Sequence, residues 1–112
     1  MISKPRIVDK PWGRELWLAH EQEYALKILE VKKGERLSLQ YHKEKKESIY
    51  VYKGKMRLVL GEEEMEMCEG DVVTVEPGVK HRMRALDDLV LIEASTPQLD
   101  DVVRIEDDYN RA

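Results

Sequence analysis

Two histidines, a glutamate and a glutamine stand at spacings that would suit a metal ion. Gln40 and His42 are two residues apart, so in a strand both side chains point to one face. Glu47 comes five residues later, at the start of an alternating run, and His81 follows the Pro77-Gly78 turn at the start of another. Two imidazoles, a carboxylate and an amide oxygen converging inside a small barrel would bind a divalent ion. Imidazole suits Zn, Fe, Ni and Cu, and a carboxylate also suits Mn. The same residues would equally be ordinary polar groups at strand ends, and spacing alone leaves both readings open.

The elements that must position them are short strands. Period-two runs separated by turn residues recur along the chain, the pattern of an all-β sandwich or barrel. Tyr24 to Val31 reads as a strand, followed by a turn at Lys33-Gly34. Glu47 to Lys53 alternates, with Ile49 and Val51 on one face and Tyr50 and Tyr52 on the other. Lys53-Gly54 turns into Met56 to Leu60, Gly61-Glu62 into Met65 to Cys68, and Glu69-Gly70-Asp71 into Val72 to Val75. Pro77-Gly78 then leads into His81 to Leu86, and Asp87-Asp88 into Leu89 to Glu93. This predicts about eight strands and no long helix. Strands this short need closure into a barrel or a two-sheet sandwich to hide their edges. The tail from Leu99 to Arg111 reads either as one more strand or as a short helical turn.

Composition sets the outer limits. The chain has 112 residues, the size of one domain. Hydrophobic residues are 42% and charged residues 38%, enough apolar material for one core. There are 19 basic against 23 acidic residues, so the net charge is -4 and nucleic acid is not an expected partner. No apolar run approaches a membrane span or a signal peptide, so no membrane partner is expected either. The single cysteine, Cys68, fits a reducing cytoplasm.

Two longer motifs resemble those of the cupin superfamily. Gly34-(five)-Gln40-Tyr41-His42-(four)-Glu47-(six)-Gly54 is similar to the first cupin motif, G-x5-H-x-H-x3,4-E-x6-G, with Gln40 in place of the first histidine. Gly70-(five)-Glu76-Pro77-Gly78-(two)-His81 is similar to the second, G-x5-P-x-G-x2-H, with the proline shifted by one and Ala85 where an asparagine is usual. The resemblance implies a single-domain cupin double-stranded β-helix, or jelly-roll barrel, over residues 1–112. Within it, 1–20 would be N-terminal strands or an arm, 24–95 the barrel core and 99–111 a C-terminal segment.

A narrower resemblance covers about Lys10 to Arg111. Arg36-Leu37-Ser38-Leu39-Gln40 before His42, the start Lys10-Pro11-Trp12-Gly13, and the tail from Asp100 to Arg111 (DDVVRIEDDYNR) are similar to the type II phosphomannose isomerase domain. That domain is usually joined to a mannose-1-phosphate guanylyltransferase. No nucleotide-binding glycine loop precedes Lys10, so this chain is not expected to transfer a nucleotide. Lys43-Glu44-Lys45-Lys46 replaces the family's histidine-rich run. The resemblance implies Gln40, His42, Glu47 and His81 as ligands of a divalent metal, zinc first, with Mn, Fe, Co or Ni as alternatives.

The implied reaction interconverts mannose 6-phosphate and fructose 6-phosphate by moving a proton between C1 and C2. A metal would polarise the carbonyl, and cations would hold the phosphate, arginine best through its forked donors. Arg104 and Arg111 match tail arginines of the family, and Arg36 and Lys10 are further substrate-binding candidates. The alternative for any of these arginines is a surface ion pair with Asp100, Asp101, Glu106, Asp107 or Asp108. The sequence does not assign the general base. Other readings are a different metal-dependent cupin enzyme, such as a small dioxygenase, and a non-catalytic cupin that binds a sugar or metabolite. Exposed barrel edges and the N-terminal segment imply a homodimer, by strand exchange or sheet packing.

Plainer expectations cover the rest. The alternating-sign run from Lys43 to Glu47 reads as a solvated loop, and Glu62-Glu63-Glu64 as an exposed turn. Pro11 and Gly13 beside Trp12 argue against a helix, so Trp12 and Trp17 read as core or dimer-contact residues. Met65 and Met67 read as core, and Cys68 as a small buried hydrophobe.

Overall fold

The computed structural model describes residues 1–111. Among the described residues there are eleven strands and no helix. They are β1 (Arg6–Lys10), β2 (Gly13–His20), β3 (Ala25–Val31), β4 (Leu39–Tyr41), β5 (Glu47–Lys53), β6 (Lys55–Leu60), β7 (Glu63–Cys68), β8 (Val72–Val75), β9 (His81–Ala85), β10 (Leu89–Ser95) and β11 (Val103–Glu106). They form two antiparallel sheets. One has six strands in the order β1-β2-β3-β10-β5-β8, the other five in the order β11-β4-β9-β6-β7. This is the two-sheet architecture that the turn spacing predicts. The strands beyond the seven runs named from the sequence are β1 and β2 in the N-terminal arm, the three-residue β4, and β11, which resolves the tail as a strand.

The alternation of β5 explains the layering. Ile49 and Val51 are fully buried, while Tyr50 and Tyr52 are exposed. The same period puts Leu29 and Val31 of β3, Leu89 and Leu91 of β10, Met56 and Leu58 of β6 and Met83 of β9 into one core between the sheets. Trp12 closes one end of that core at 2% exposure, as its Pro-Trp-Gly setting implies. Gly54 makes the β5–β6 turn at φ +87°, where a Cβ would strike the Asp88 carbonyl, so this turn admits only glycine.

One core expectation is corrected. Cys68 is exposed, not buried. Met67 takes the inward position of β7, so the next residue faces out. A hydrogen bond to Asp71 and that carboxylate's charge push the Cys68 thiol up, which lowers its thiolate fraction. Met67 is core and Met65 packs against it at partial burial. Glu62, Glu63 and Glu64 are exposed as read, but only Glu62 lies in the turn, and Glu63 and Glu64 open β7.

Candidate metal centre

The two sheets meet around three buried ligand groups. Glu47 opens β5 on the six-stranded sheet. His81 opens β9 on the five-stranded sheet, and His42 lies just past β4. All three are at most 3% exposed. Among the described residues they form the one His/Cys/Asp/Glu group with ligand atoms close enough for a metal, all within 4.8 Å of one another.

Hydrogen bonding sets both imidazoles. Nδ1–H of His42 donates to the Asp101 carbonyl at 2.6 Å, and Nδ1–H of His81 donates to the Val79 carbonyl at 2.9 Å. A carbonyl only accepts, so whenever either ring is neutral its lone pair lies on Nε2, the nitrogen that faces Glu47. Those Nε2 atoms lie 3.2 and 3.1 Å from the same oxygen, Oε1 of Glu47. Nε2 of His81 is buried without a hydrogen bond despite that proximity. Two lone pairs and a carboxylate oxygen therefore converge, and a cation is what such a set lacks. The donor set of two imidazoles and one carboxylate fits zinc or another divalent ion. Each Nδ1–H···O=C bond is also the outer support that metal-bound histidines ordinarily have. Burial pushes the Glu47 carboxyl up, but hydrogen bonds from His42 and His81, available when their Nε2 atoms carry protons, and the charge of Lys45 outweigh it and hold it well below the usual range, so it stays ionised.

Gln40 is placed beside this group. It pairs directly with His81 across β4 and β9, and with Arg104 across β4 and β11. Directly paired residues share a face. Its Oε1 accepts a 2.7 Å hydrogen bond from the buried Ser38 hydroxyl. Gln40, His42, Lys10, Arg104 and Arg111 all line one cavity of about 320 Å3, with Lys27, Lys45, Glu15 and Trp17. Nε of Arg104 is buried there without a partner. Arg111 lines the same cavity while making a two-pronged ion pair with Asp107. Arg36 is not brought into the cavity. It makes a two-pronged ion pair with Asp108 at 2.6 and 2.8 Å, the alternative weighed for these arginines.

The reading of Lys43 to Glu47 as a solvated loop is corrected. Lys43, Glu44 and Lys46 are exposed, but Lys45 is 4% exposed. Its ammonium reaches Oε2 of Glu47 at 3.1 Å and Glu93 at 3.5 Å. Glu93 also holds Lys27 at 3.5 Å, and Lys27 reaches Glu15 at 3.2 Å. The Trp17 indole N–H donates to the same Glu15 oxygen at 2.9 Å. A chain of alternating buried charges thus runs from the centre across the inner face of the sheet. Burial pushes the Lys27 ammonium down, and Glu15 opposes that. Sequence reasoning missed Glu15, Lys27, Lys45 and Glu93. The signal available was register: Lys27 follows Ala25 and precedes Leu29 on the inward face of β3, and Glu93 follows Leu91 on that of β10. A charge at an inward position of a buried strand needs a buried partner.

The tail completes the site. The Asp101 carboxylate accepts from the backbone N–H groups of Lys43, Glu44 and Lys45 at 3.0, 2.7 and 2.9 Å, while its carbonyl holds His42. Leu99, Asp100, Val102, Arg104 and Arg111 form one wall of the cavity.

Comparison with known proteins follows the same lines. The profile of a family described as "Mannose-6-phosphate isomerase C-terminal" matches residues 2–107. The chain is 34% identical over 111 residues to the xanthan biosynthesis protein XanB of Xanthomonas campestris pv. campestris, covering 95% of this chain and 24% of that protein. It is 32% identical to the mannose-1-phosphate guanylyltransferase ManC of Salmonella typhimurium, covering 95% of this chain and 23% of that one. The chain thus spans about a quarter of the length of these curated relatives. Among solved structures, KdgF from Halomonas sp. superposes with a TM-score of 0.79 at 21% identity, covering 85% of this chain and 88% of that one. An RmlC-like cupin from Shewanella frigidimarina gives a TM-score of 0.79 at 21% identity, over 86% and 87%. The fold is a cupin jelly roll. No helix among the described residues is long and apolar enough to cross a membrane.

Proposed function

The chain belongs to the mannose-6-phosphate isomerase C-terminal family, and from that premise we propose that it is a metal-dependent sugar-phosphate isomerase interconverting mannose 6-phosphate and fructose 6-phosphate. The observation that carries this reading is three buried ligand groups beside a cavity whose charge opposes that of the molecule. The chain has a net charge of -4. Yet Lys10, Lys27, Lys45, Arg104 and Arg111 line the cavity against only Glu15 and Asp100. Such a cavity favours an anionic ligand.

His42, Glu47 and His81 would hold the metal, with Gln40 as a fourth, oxygen ligand and zinc as the first choice. Held there, an ion would supply a Lewis acid for the sugar carbonyl and for the negative charge that develops as the proton moves between C1 and C2. The chain's own residues bind and orient the substrate. Lys10, Arg104 and Arg111 form the cationic side and take the phosphate, Arg104 through an Nε–H that has no protein partner. Lys45 caps Oε2 of Glu47 and leaves Oε1 toward the histidines. Cavity walls on both sheets keep the sugar from bulk water. A cytoplasmic setting, where sugar phosphates and an exposed free thiol such as Cys68 both persist, belongs to the same reading.

The direct test is conversion of mannose 6-phosphate by protein loaded with Zn, Mn, Co or Ni, beside His81→Ala and Arg104→Ala. The reading expects turnover that is lost in His81→Ala and a raised KM in Arg104→Ala. Metal binding with no turnover under any of these ions would sink the isomerase and leave a binding cupin. Iron-dependent oxygen uptake would replace it with a dioxygenase.

A further inference from the structure

One carboxylate in the cavity has an oxygen that the protein does not use. Glu15 of β2 pairs with the inward Leu29 of β3, shares its face, and is 8% exposed. Its Oε1 accepts from the Trp17 indole N–H at 2.9 Å and from the Lys27 ammonium at 3.2 Å. Its Oε2 accepts nothing from the described residues and is not enclosed by them, and the residue lines the cavity. Asp100, the other acid of that cavity, is exposed to solvent. Burial pushes the Glu15 carboxyl up, but Lys27, the Trp17 N–H and Lys10 outweigh it and hold it below the usual range. An ionised carboxylate oxygen only accepts, so Oε2 calls for a donor that a ligand must bring.

The place of Glu15 decides which part of a ligand it meets. β3 and β10 lie between β2 and β5, so Glu15 stands three strand steps, about 14 Å of sheet, from Glu47. It is therefore remote from carbons that react beside the metal centre. Burial pushes the Lys10 ammonium down, and the charges that act on it besides are those of Glu15, Lys27, Arg104 and Arg111. The carboxylate thus stands among the cations assigned to the phosphate. Its charge weakens their hold on an anion. Lys27 already has a second counter-charge in Glu93, so balancing Lys27 does not by itself account for it.

We propose that Glu15 sets the specificity of the cavity by accepting, through Oε2, a hydrogen bond from the hydroxyl next to the phosphate-bearing carbon, O5–H of an open-chain hexose 6-phosphate. The inference rests on the sugar-phosphate reading of this site and deepens it. In the closed ring O5 is a ring oxygen without a proton, so two acceptors would face each other. Glu15 therefore admits the open chain, the form whose free carbonyl the isomerisation needs, and turns away the ring. A buried polar group left unpaired by the wrong ligand is what makes such selection steep.

Calorimetric titration of the full chain tests it with three ligands that carry the same phosphate. They are glucitol 6-phosphate, which is open, its 5-deoxy analogue, and 1,5-anhydroglucitol 6-phosphate, which is a ring. The unaltered chain binds the first at least about tenfold tighter than either of the others. In Glu15→Gln the amide oxygen keeps the bonds from Trp17 and Lys27, which turns an NH2 donor toward the cavity. A donor suits the ring oxygen as well as a hydroxyl, so the open-over-ring ratio falls to about threefold or less. Loss of a merely structural contact would leave that ratio in place, and the common phosphate cancels in it. Equal affinity for the three ligands in the unaltered chain overturns the proposal, as does a ratio that persists in Glu15→Gln, or no binding of any of them. The first comparison needs no altered protein, so a variant that fails to fold cannot shield the proposal. The isomerase reading fails separately. No turnover with the preference intact removes the isomerase and keeps Glu15 as the reader of an open polyol phosphate, whereas turnover without the preference removes the role of Glu15 alone.

Discussion

Lys45 donates to Glu47 while Glu93 holds the same ammonium from the other side, and Glu93 shares itself between Lys45 and Lys27. In such a chain each charge is tolerated in the interior only because of its neighbours. Glu93→Gln keeps the shape but leaves two buried ammonium groups short of a counter-charge. We expect a loss of about 3 kcal/mol, read from the urea midpoint of the metal-free chain. A change below about 0.5 kcal/mol would mean that water or movement satisfies the lysines instead. At this scale His42, Glu47 and His81 were legible as a candidate metal set only through the two motif resemblances, because spacing alone left them equally open as polar residues at strand ends. Lys45 was not legible. Its neighbours Lys43, Glu44 and Lys46 do face solvent, and nothing local distinguishes the one lysine whose carboxylate partner Glu93 is nearly fifty residues away. Arg36 failed for the related reason that its partner, Asp108, lies 72 residues on.

The tail and the loop before β5 act as one element although they are far apart in the chain. Three backbone N–H groups, led by that of Lys43, hold the Asp101 carboxyl at about 2 against an ordinary 3.8. A carboxyl whose pKa is lowered by folding contributes stability that is complete above its unfolded pKa and is lost as pH falls through its folded one. For Asp101 that window runs from 3.8 down to about 2. Thermal melts of the metal-free chain and of Asp101→Asn should therefore differ at pH 6 and converge as acid protonates Asp101. Parallel curves over that window would show that the loop does not depend on this charge. The strands from β5 to β10 were legible from period two and turn residues, with ends within about two residues. β4 was not, since three residues are too few to show a period. The tail stayed ambiguous because VVRIE suits either state until Asp101, Arg82 and Arg36 dock it.

One sheet serves two surfaces through adjacent residues. Ile28 and Ile92 face outward while Lys27 and Glu93 beside them are buried on the inner face. Metal loading would act on the whole molecule, because the candidate ligands His42, Glu47 and His81 come from both sheets. An ion at about a hundred times its Kd stabilises the folded state by about 2.7 kcal/mol, roughly 10 °C in Tm for a chain of this size. Zinc should raise the melt of the chain by that order, a chelator should reverse it, and His81→Ala should show neither effect. Equal melts with and without zinc would remove the metal centre. The Asp101–His42 hydrogen bond has a temporal side as well. The two residues are 59 positions apart, and a ribosome adding 5–20 residues per second puts roughly 3–12 s between them. Throughout that interval the imidazole lacks the carbonyl that orients it. A newborn chain would therefore hold a metal poorly until its C-terminal segment docks, and an ion would be captured by the finished barrel rather than by the emerging one.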